Sequence, residues 1–262
     1  MGQNKVEFKK IWFFSHCSAE KLLETSKFLD ESSFSLALIP FKIKNPDPMI
    51  KSFALLSNTK KIGAMAAMPG YVAKAEYVNM MCRTIEEFFP DRYFCLNIIE
   101  GGKDEDPSLF DIDPNLVKDE NNKFIEKLLS IRDIDLMFSG ESENKYQNAL
   151  KYNGMQFMLL NDFKKIESDR YPNVGIRIFI CVKETDQKAE DFFKEMLGVY
   201  SSDENFNPKL IQRIKDNCII GSPSTISAYI NNLKEQGLGG IIVSDLILSD
   251  TELDVIECVD NI

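Results

Sequence analysis

DPMIKSFALLSNTKKIGAMAAMPGYVAKAEYVNMMCRTIEEFFPDRYFCLNIIEGG, running from Asp47 to Gly102, decides the fold. It reads as a helix, a buried strand, a loop opening on Met68-Pro69-Gly70, a second helix, and a second strand that stops at a double glycine. Two successive buried strands joined by a helix most often pair in parallel, and a βαβ crossover of this length is the unit from which α/β folds are assembled. The strands fall at Ile62 to Ala67 and Tyr93 to Ile99, with the helix at Lys74 to Phe88.

The same alternation continues on both sides. Upstream, Lys10 to His16 (KIWFFSH) is a short apolar run ending in polar residues, as a buried parallel strand does when its carboxyl end carries functional side chains. Leu22, Leu23, Ser26 and Leu29 are spaced for one helix face over 19–31, and Leu36 to Pro40 (LALIP) predicts the next strand. Downstream, strands are predicted at Asp135 to Phe138, in MQFMLL (155–160), at Gly175 to Lys183 and at Gly240 to Val243. Helices are predicted near 117–130, 142–152, 186–197, 208–217 and 251–259. One more is sharply bounded: Ser222 can cap it, Pro223 sits at its first position and Gly237 stops it. Eight short strands alternating with helices is the count that closes a (β/α)8 barrel, although an open doubly wound sheet shares the alternation.

Length and composition bound the rest. At 262 residues the chain suits one α/β barrel domain spanning 1–262. With 44% hydrophobic and 27% charged residues it is too apolar for disorder. A net charge of −10 argues against a nucleic acid or an anionic membrane as partner. The six cysteines (17, 82, 95, 181, 218, 258) form no CxxC pair and share the chain with a single histidine, so neither zinc nor a disulfide framework is expected. With no apolar signal region and no run of 18 apolar residues, a cytoplasmic location is expected.

Several pieces, in order, resemble the luciferase-like flavin-dependent monooxygenases, and most closely the alkanesulfonate monooxygenase branch. They are WFFSH, SSFSLALIP, the opening stretch, FSGESENKYQNALKYNGMQFML, GIRIFICVKETDQKAEDFFKEM and IIGSPSTISAYINNLKEQGLGGIIVS. The resemblance implies a barrel that binds reduced FMN at the carboxyl ends of its strands. Asn97 and Ile99 would lie beside the isoalloxazine ring, Ala67 and Met68 would pass beneath it, and the turn Ser139-Gly140-Glu141-Ser142 would receive the flavin phosphate. A glycine lets backbone approach, a serine hydroxyl donates, and N–H groups at a helix start favour an anion. The residues alone also allow Ser142 simply to cap its helix.

The chain departs from the family pattern in instructive places. The segments between Gly102 and Ser139, and between the helix near 186–197 and Gly221, are shorter than the insertions that build the family's substrate pocket and lid. Arg177 keeps the family's arginine, but Phe179 stands where a histidine is expected, and a tyrosine position falls near Leu246. His16 sits at a strand's carboxyl end, well placed to exchange protons near neutral pH.

By this resemblance the chain would be a two-component monooxygenase, taking reduced FMN from a flavin reductase and using O2 on a small or carrier-bound substrate, with His16 and Arg177 as catalytic residues. A second reading is a non-catalytic paralogue serving as one half of a homo- or heterodimer. A third is a deazaflavin-dependent oxidoreductase.

Overall fold

The computed structural model describes residues 8–14, 18–100, 106–202, 207–244 and 251–262. Strand and helix alternate from the start: β1 (Lys9–Phe13), α1 (Ala19–Glu31), β2 (Leu36–Ile39), α2 (Pro48–Asn58), β3 (Gly63–Pro69), α3 (Ala75–Phe88) and β4 (Phe94–Ile99). Two short 3-10 turns, Pro107–Phe110 and Pro114–Leu116, precede α4 (Val117–Ile131) and β5 (Leu136–Ser139). Then come α5 (Glu143–Lys151), β6 (Met155–Leu159), α6 (Leu160–Phe163) and β7 (Val174–Val182). The chain closes through α7 (Asp186–Ser202), α8 (Pro208–Asn217), β8 (Cys218–Gly221), α9 (Pro223–Glu235), β9 (Gly240–Ser244) and α10 (Glu252–Asp260).

All the strand pairings are parallel, in the order β6-β5-β4-β3-β2-β1-β9-β7, and β7 returns to β6. This is the closed (β/α)8 barrel expected from the sequence. The last barrel strand is β9, the one read at Gly240–Val243. The strand β8 is absent from the sequence reading: it lies outside the barrel and pairs only with the carboxyl half of β7, Phe179 to Val182. Residues 174–178 of β7 belong to the barrel wall, and the remainder leaves it to form a two-stranded extension. Phe179 and Cys181 pack there against Phe193 of α7 and Ile214 of α8, a small core of its own.

Side-chain alternation sorts the strands into two layers. Ile11, Leu36, Met65, Cys95, Met137 and Met155 point into the barrel. Their neighbours Trp12, Ala37, Ala64, Leu96, Leu136 and Ala66 face the helices. The small outward residues of β3 let α2 lie close to the sheet. Inside, the Phe157 ring fills the lumen against Gly175, where an added Cβ would fall 2.2 Å from a ring carbon. Local signals set the helix starts. Asp47 accepts from the N–H groups of Met49 and Ile50 at 2.8 and 3.0 Å with Pro48 following, Ser222 accepts from Thr225 ahead of Pro223, and Thr251 forms a reciprocal box with Asp254. Gly237, at φ 95°, ends α9 as its position predicts.

The amino-terminal end of the barrel is sealed. Arg92 donates to the carbonyls of Leu56, Thr59 and Ile62. Asp30 accepts from the N–H groups of Lys60, Lys61 and Ile62 at 2.6–2.8 Å. The Tyr93 hydroxyl donates to Asp135 at 2.6 Å, and the Lys9 ammonium lies 4.9 Å from the Tyr93 ring centroid.

Candidate functional site

The carboxyl ends of the barrel strands open into a cavity of about 730 Å³, at the end where barrel active sites lie. Its lining includes most of the residues singled out from the sequence: Ala67 at the end of β3, Asn97 and Ile99 on β4, Ser139 through Ser142 after β5, and Arg177 on β7. Two fall elsewhere. The Met68 side chain points away from the lumen and is buried in the layer between barrel and helices, because β3 alternates and Ala67 takes the inward position. His16, like Leu246, lies outside the described residues.

Asn97, buried to 2% exposure, and Ser139 sit side by side on neighbouring strands. The Asn97 amide donates to the Ser139 hydroxyl at 2.9 Å, and that hydroxyl approaches the Asn97 carbonyl oxygen at 3.1 Å. The pair fixes a donor–acceptor step on the cavity wall.

The turn after β5 is shaped by its glycine and held from below. Gly140 has φ 132°, a conformation that L side chains rarely adopt, and its N–H donates to the Phe157 carbonyl at 2.9 Å. Gln156, buried to 1% exposure, donates through Nε2 to the carbonyls of Gly140 and Ser142 at 2.7 and 3.2 Å. With those carbonyls turned inward, the turn presents its other face to the cavity just where α5 begins. Ser142 occupies the N-cap position of α5, yet its side chain makes no capping hydrogen bond. The first N–H groups of a helix have no intrahelical acceptor, so this end of α5 offers donors to an anion.

Charge around the turn is mixed. Glu141 and Asp162 are neighbours: the hydrogen bond and charge of Asp162 raise the Glu141 carboxyl pKa. Asp162 is held low, since burial opposes this but hydrogen bonds to Lys165 (2.8 Å) and Glu141 outweigh it. The pair therefore holds a proton more readily than two separated carboxylates. Arg213, carried by α8, lies near enough for its charge to act on both, and it lines the same cavity. Below, the Lys145 side chain is 3% exposed, with Nζ 3.4 Å from the Ile98 carbonyl and 3.5 Å from Glu100. Burial lowers the Lys145 pKa against the pull of Glu100.

On the opposite wall the Arg177 guanidinium lies 3.9 Å from the Phe13 ring centroid and donates to the Ser244 hydroxyl at 3.3 Å. Phe179, in the position where the family resemblance expects a histidine, is buried in the β7–β8 extension.

Gln156, Arg213, Asp162 and Lys145 are missing from the sequence reading. Gln156 had a signal, a polar residue inside the apolar strand MQFML. Arg213 had none, because PKLIQRIKDN reads as an ordinary amphipathic helix. Among the described residues no cluster of three or more His, Cys, Asp or Glu could hold a metal ion, and no helix is long and apolar enough to cross a membrane. The five described cysteines are free; burial pushes the thiols of Cys82 and Cys95 up to about 12.

No protein-family model and no curated protein matches the sequence. Solved structures do. The EDTA monooxygenase of Chelativorans sp. BNC1 superposes with a TM-score of 0.78 at 9% identity, over 97% of this chain and 93% of that one. The coenzyme F420 dependent tetrahydromethanopterin reductase of Methanopyrus kandleri gives 0.73 at 13% identity, over 98% and 97%. The oxygenating constituent of 3,6-diketocamphane monooxygenase from the CAM plasmid of Pseudomonas putida, a type II Baeyer-Villiger monooxygenase solved with FMN, gives 0.70 at 14%, over 91% of each chain. At such identities the likeness is one of fold. This chain has the barrel fold of these monooxygenases and of the reductase.

Proposed function

We propose that the protein is a flavin-dependent oxidoreductase and, more finely, a monooxygenase that receives reduced FMN from a separate reductase and uses O2 to oxidise a small organic substrate, free or carrier-bound. The observation that carries the reading is the Ser139–Ser142 turn: a left-handed glycine, a serine that does not cap its helix, and the donor-rich start of α5, all bordering one cavity at the carboxyl end of the barrel. The cavity volume falls within the range of about 300–1,000 Å³ common for small-molecule sites.

The residues present fit such a cofactor. The turn amides, the Ser142 hydroxyl and Arg213 would hold its phosphate, with Glu141 directed toward Asp162 and able to take up a proton as negative charge arrives. Ala67, the backbone at Met68, and Asn97, Ser139 and Ile99 would border the ring. Bound flavin would supply the electron transfer and the activation of oxygen. The protein's part is to orient, to exclude water and to manage charge. Arg177 would orient a polar group at the wall formed by β7 and β9, and His16, three residues beyond β1 in the sequence, would exchange protons.

Anaerobic titration with oxidised and reduced FMN, followed by absorbance and flavin fluorescence, tests this. Micromolar binding of the reduced form is expected, and no binding of either form overturns the reading. Titration with coenzyme F420 in parallel addresses the deazaflavin reading, which the fold shared with the F420 dependent reductase supports. A homo- or heterodimeric partner role is supported by α3, which leaves Tyr77, Met80 and Phe88 about 60% exposed. Sedimentation at micromolar concentration checks it.

A further inference from the structure

The two ends of the cavity differ in kind. Toward β5 and β6 it is polar, built from the Ser139–Ser142 turn, Asp162 and Arg213. Toward β1–β3 its wall is made by Phe13, Leu38, Pro40, Phe41, Ala67 and, from β9, Ile242. Phe41 is braced rather than loose. The Phe110 ring, from the 3-10 turn after β4, lies 6.5 Å from it at 52°, and Tyr71, from the loop after β3, lies 5.9 Å from Phe110 at 60°. Three successive strand-to-helix connections thus meet in one aromatic tripod at the rim. Leu109, in the same 3-10 turn, is 66% exposed, and Ile43, in the loop after Phe41, is 38% exposed. Apolar surface therefore continues outward from the cavity onto the rim.

Among the described residues that line the cavity, each charged group already has a partner. The charge of Arg213 acts on Glu141 and Asp162 at the opposite end, and Arg177 is stacked on Phe13 with its Nη2 on Ser244. Glu100 is paired with Lys145. Among the described residues, three carboxylates line the cavity against two guanidinium groups. Among the described lining residues the cation at this end, Arg177, is already stacked on Phe13 and bonded to Ser244, so an organic anion set against Leu38, Pro40 and Phe41 would lose its hydration and have to compete for that guanidinium, while an apolar body would lose only unfavourable contact with water.

We propose that this end of the cavity, roofed by Phe41 on the Phe110–Tyr71 brace, binds an uncharged, apolar organic molecule, aromatic or branched aliphatic, and not the organic anion that the alkanesulfonate resemblance suggests. The proposal rests on the flavin reading only in assigning the polar end to the cofactor. Phe41 is a specificity-determining residue that touches the ligand; Phe110 acts through it as a positioning residue.

A matched pair of fluorescent probes, 2-acetylnaphthalene and naphthalene-2-sulfonate, tests the proposal on the full chain with saturating FMN. The uncharged probe is expected to bind at least tenfold tighter. Phe41→Ala should weaken it at least fivefold, Phe110→Ala about threefold, and Phe41→Lys should reverse the preference, with FMN affinity unchanged within twofold in each. Phe41→Leu, which keeps apolar volume, should retain most of the affinity, and this separates a lost contact from a damaged fold. Equal or tighter binding of the sulfonate by the unaltered protein, or an uncharged-probe affinity indifferent to Phe41→Ala, overturns the proposal. FMN titrated alone keeps the two ideas apart: if no flavin binds while the probes, without FMN, still rank and respond as expected, the cofactor reading fails and the apolar site stands.

Discussion

The two ends of the barrel use polar groups in opposite ways. At the amino-terminal floor Arg92 and Asp30 are spent on backbone: three carbonyls for one, three N–H groups for the other. Tyr93 is tied to Asp135. At the carboxyl-terminal mouth the Ser142 side chain makes no cap, Glu141 and Asp162 press two carboxyls together, and Gly140 holds a positive φ. A floor built this way fixes strand ends and loop paths; a mouth built this way leaves donors and charge at the cavity, as the proposed cofactor site requires. The difference teaches where to expect loss of stability and where to expect loss of binding.

Substitutions at the two ends should separate cleanly. The largest effect is expected from Arg92→Ala, which strips the donor from three carbonyls and should cost about 3–5 kcal/mol in urea unfolding, with the FMN affinity of the folded fraction unchanged. If Arg92→Ala changed FMN affinity with little loss of stability, the division between floor and mouth would fail. Gly175→Ala, half-way up the wall, forces a Cβ into the Phe157 ring and should cost about 1–3 kcal/mol; the same urea titration reads it.

Asp30→Asn should cost about 1–2 kcal/mol at pH 7, and its pH dependence has a defined sign. Burial works to raise the Asp30 carboxyl pKa, but the three N–H groups and Arg92 outweigh it and hold it low. A carboxylate lowered in the folded state contributes stability above its ordinary pKa of about 3.9 and loses it as the pH falls through the folded value. The gap between the unaltered protein and Asp30→Asn should therefore narrow below about pH 4 in thermal unfolding; a gap constant with pH would show that the charge is not what Asp30 contributes.

The smallest change in stability, within about 0.5 kcal/mol, is expected for Arg213→Gln at the mouth. Its effect should appear in ligand discrimination instead. The unaltered protein should prefer FMN to riboflavin, and the variant should lose that preference by about tenfold, the scale of one charge-assisted hydrogen bond. Calorimetric titration of both flavins sharpens the comparison.

The barrel was legible because parallel strands buried on both faces write themselves as short apolar runs, and eight such runs coincide with the eight barrel strands to within a few residues. Ser222, Pro223 and Gly237 bounded their helix correctly for the same reason: caps act locally. The strand Cys218–Gly221 was not legible. Four residues with no alternation become a strand only because β7 outlasts the barrel and offers a free edge. At the cavity, Asn97, Ile99 and Ser139 were reached through the family resemblance, and the structure sets them on its lining because they stand at strand ends. Met68 shows the limit, since one step along β3 sends a side chain to the other layer. Arg213 was beyond reach because its place over the cavity depends on how α8 packs on α6, α7 and β7, which no helical periodicity records.

The extension of β7 sets a spacing. Arg177 stands two residues before Phe179, and Arg213 stands five residues before Cys218, the residue paired with Phe179. The two cavity guanidinium groups therefore flank one ladder of backbone hydrogen bonds, Arg177 on the barrel-wall half of β7 and Arg213 on α8, the helix that leads into β8. The ladder acts as a tether: it anchors the end of the helix that carries the mouth cation to the strand that carries the wall cation.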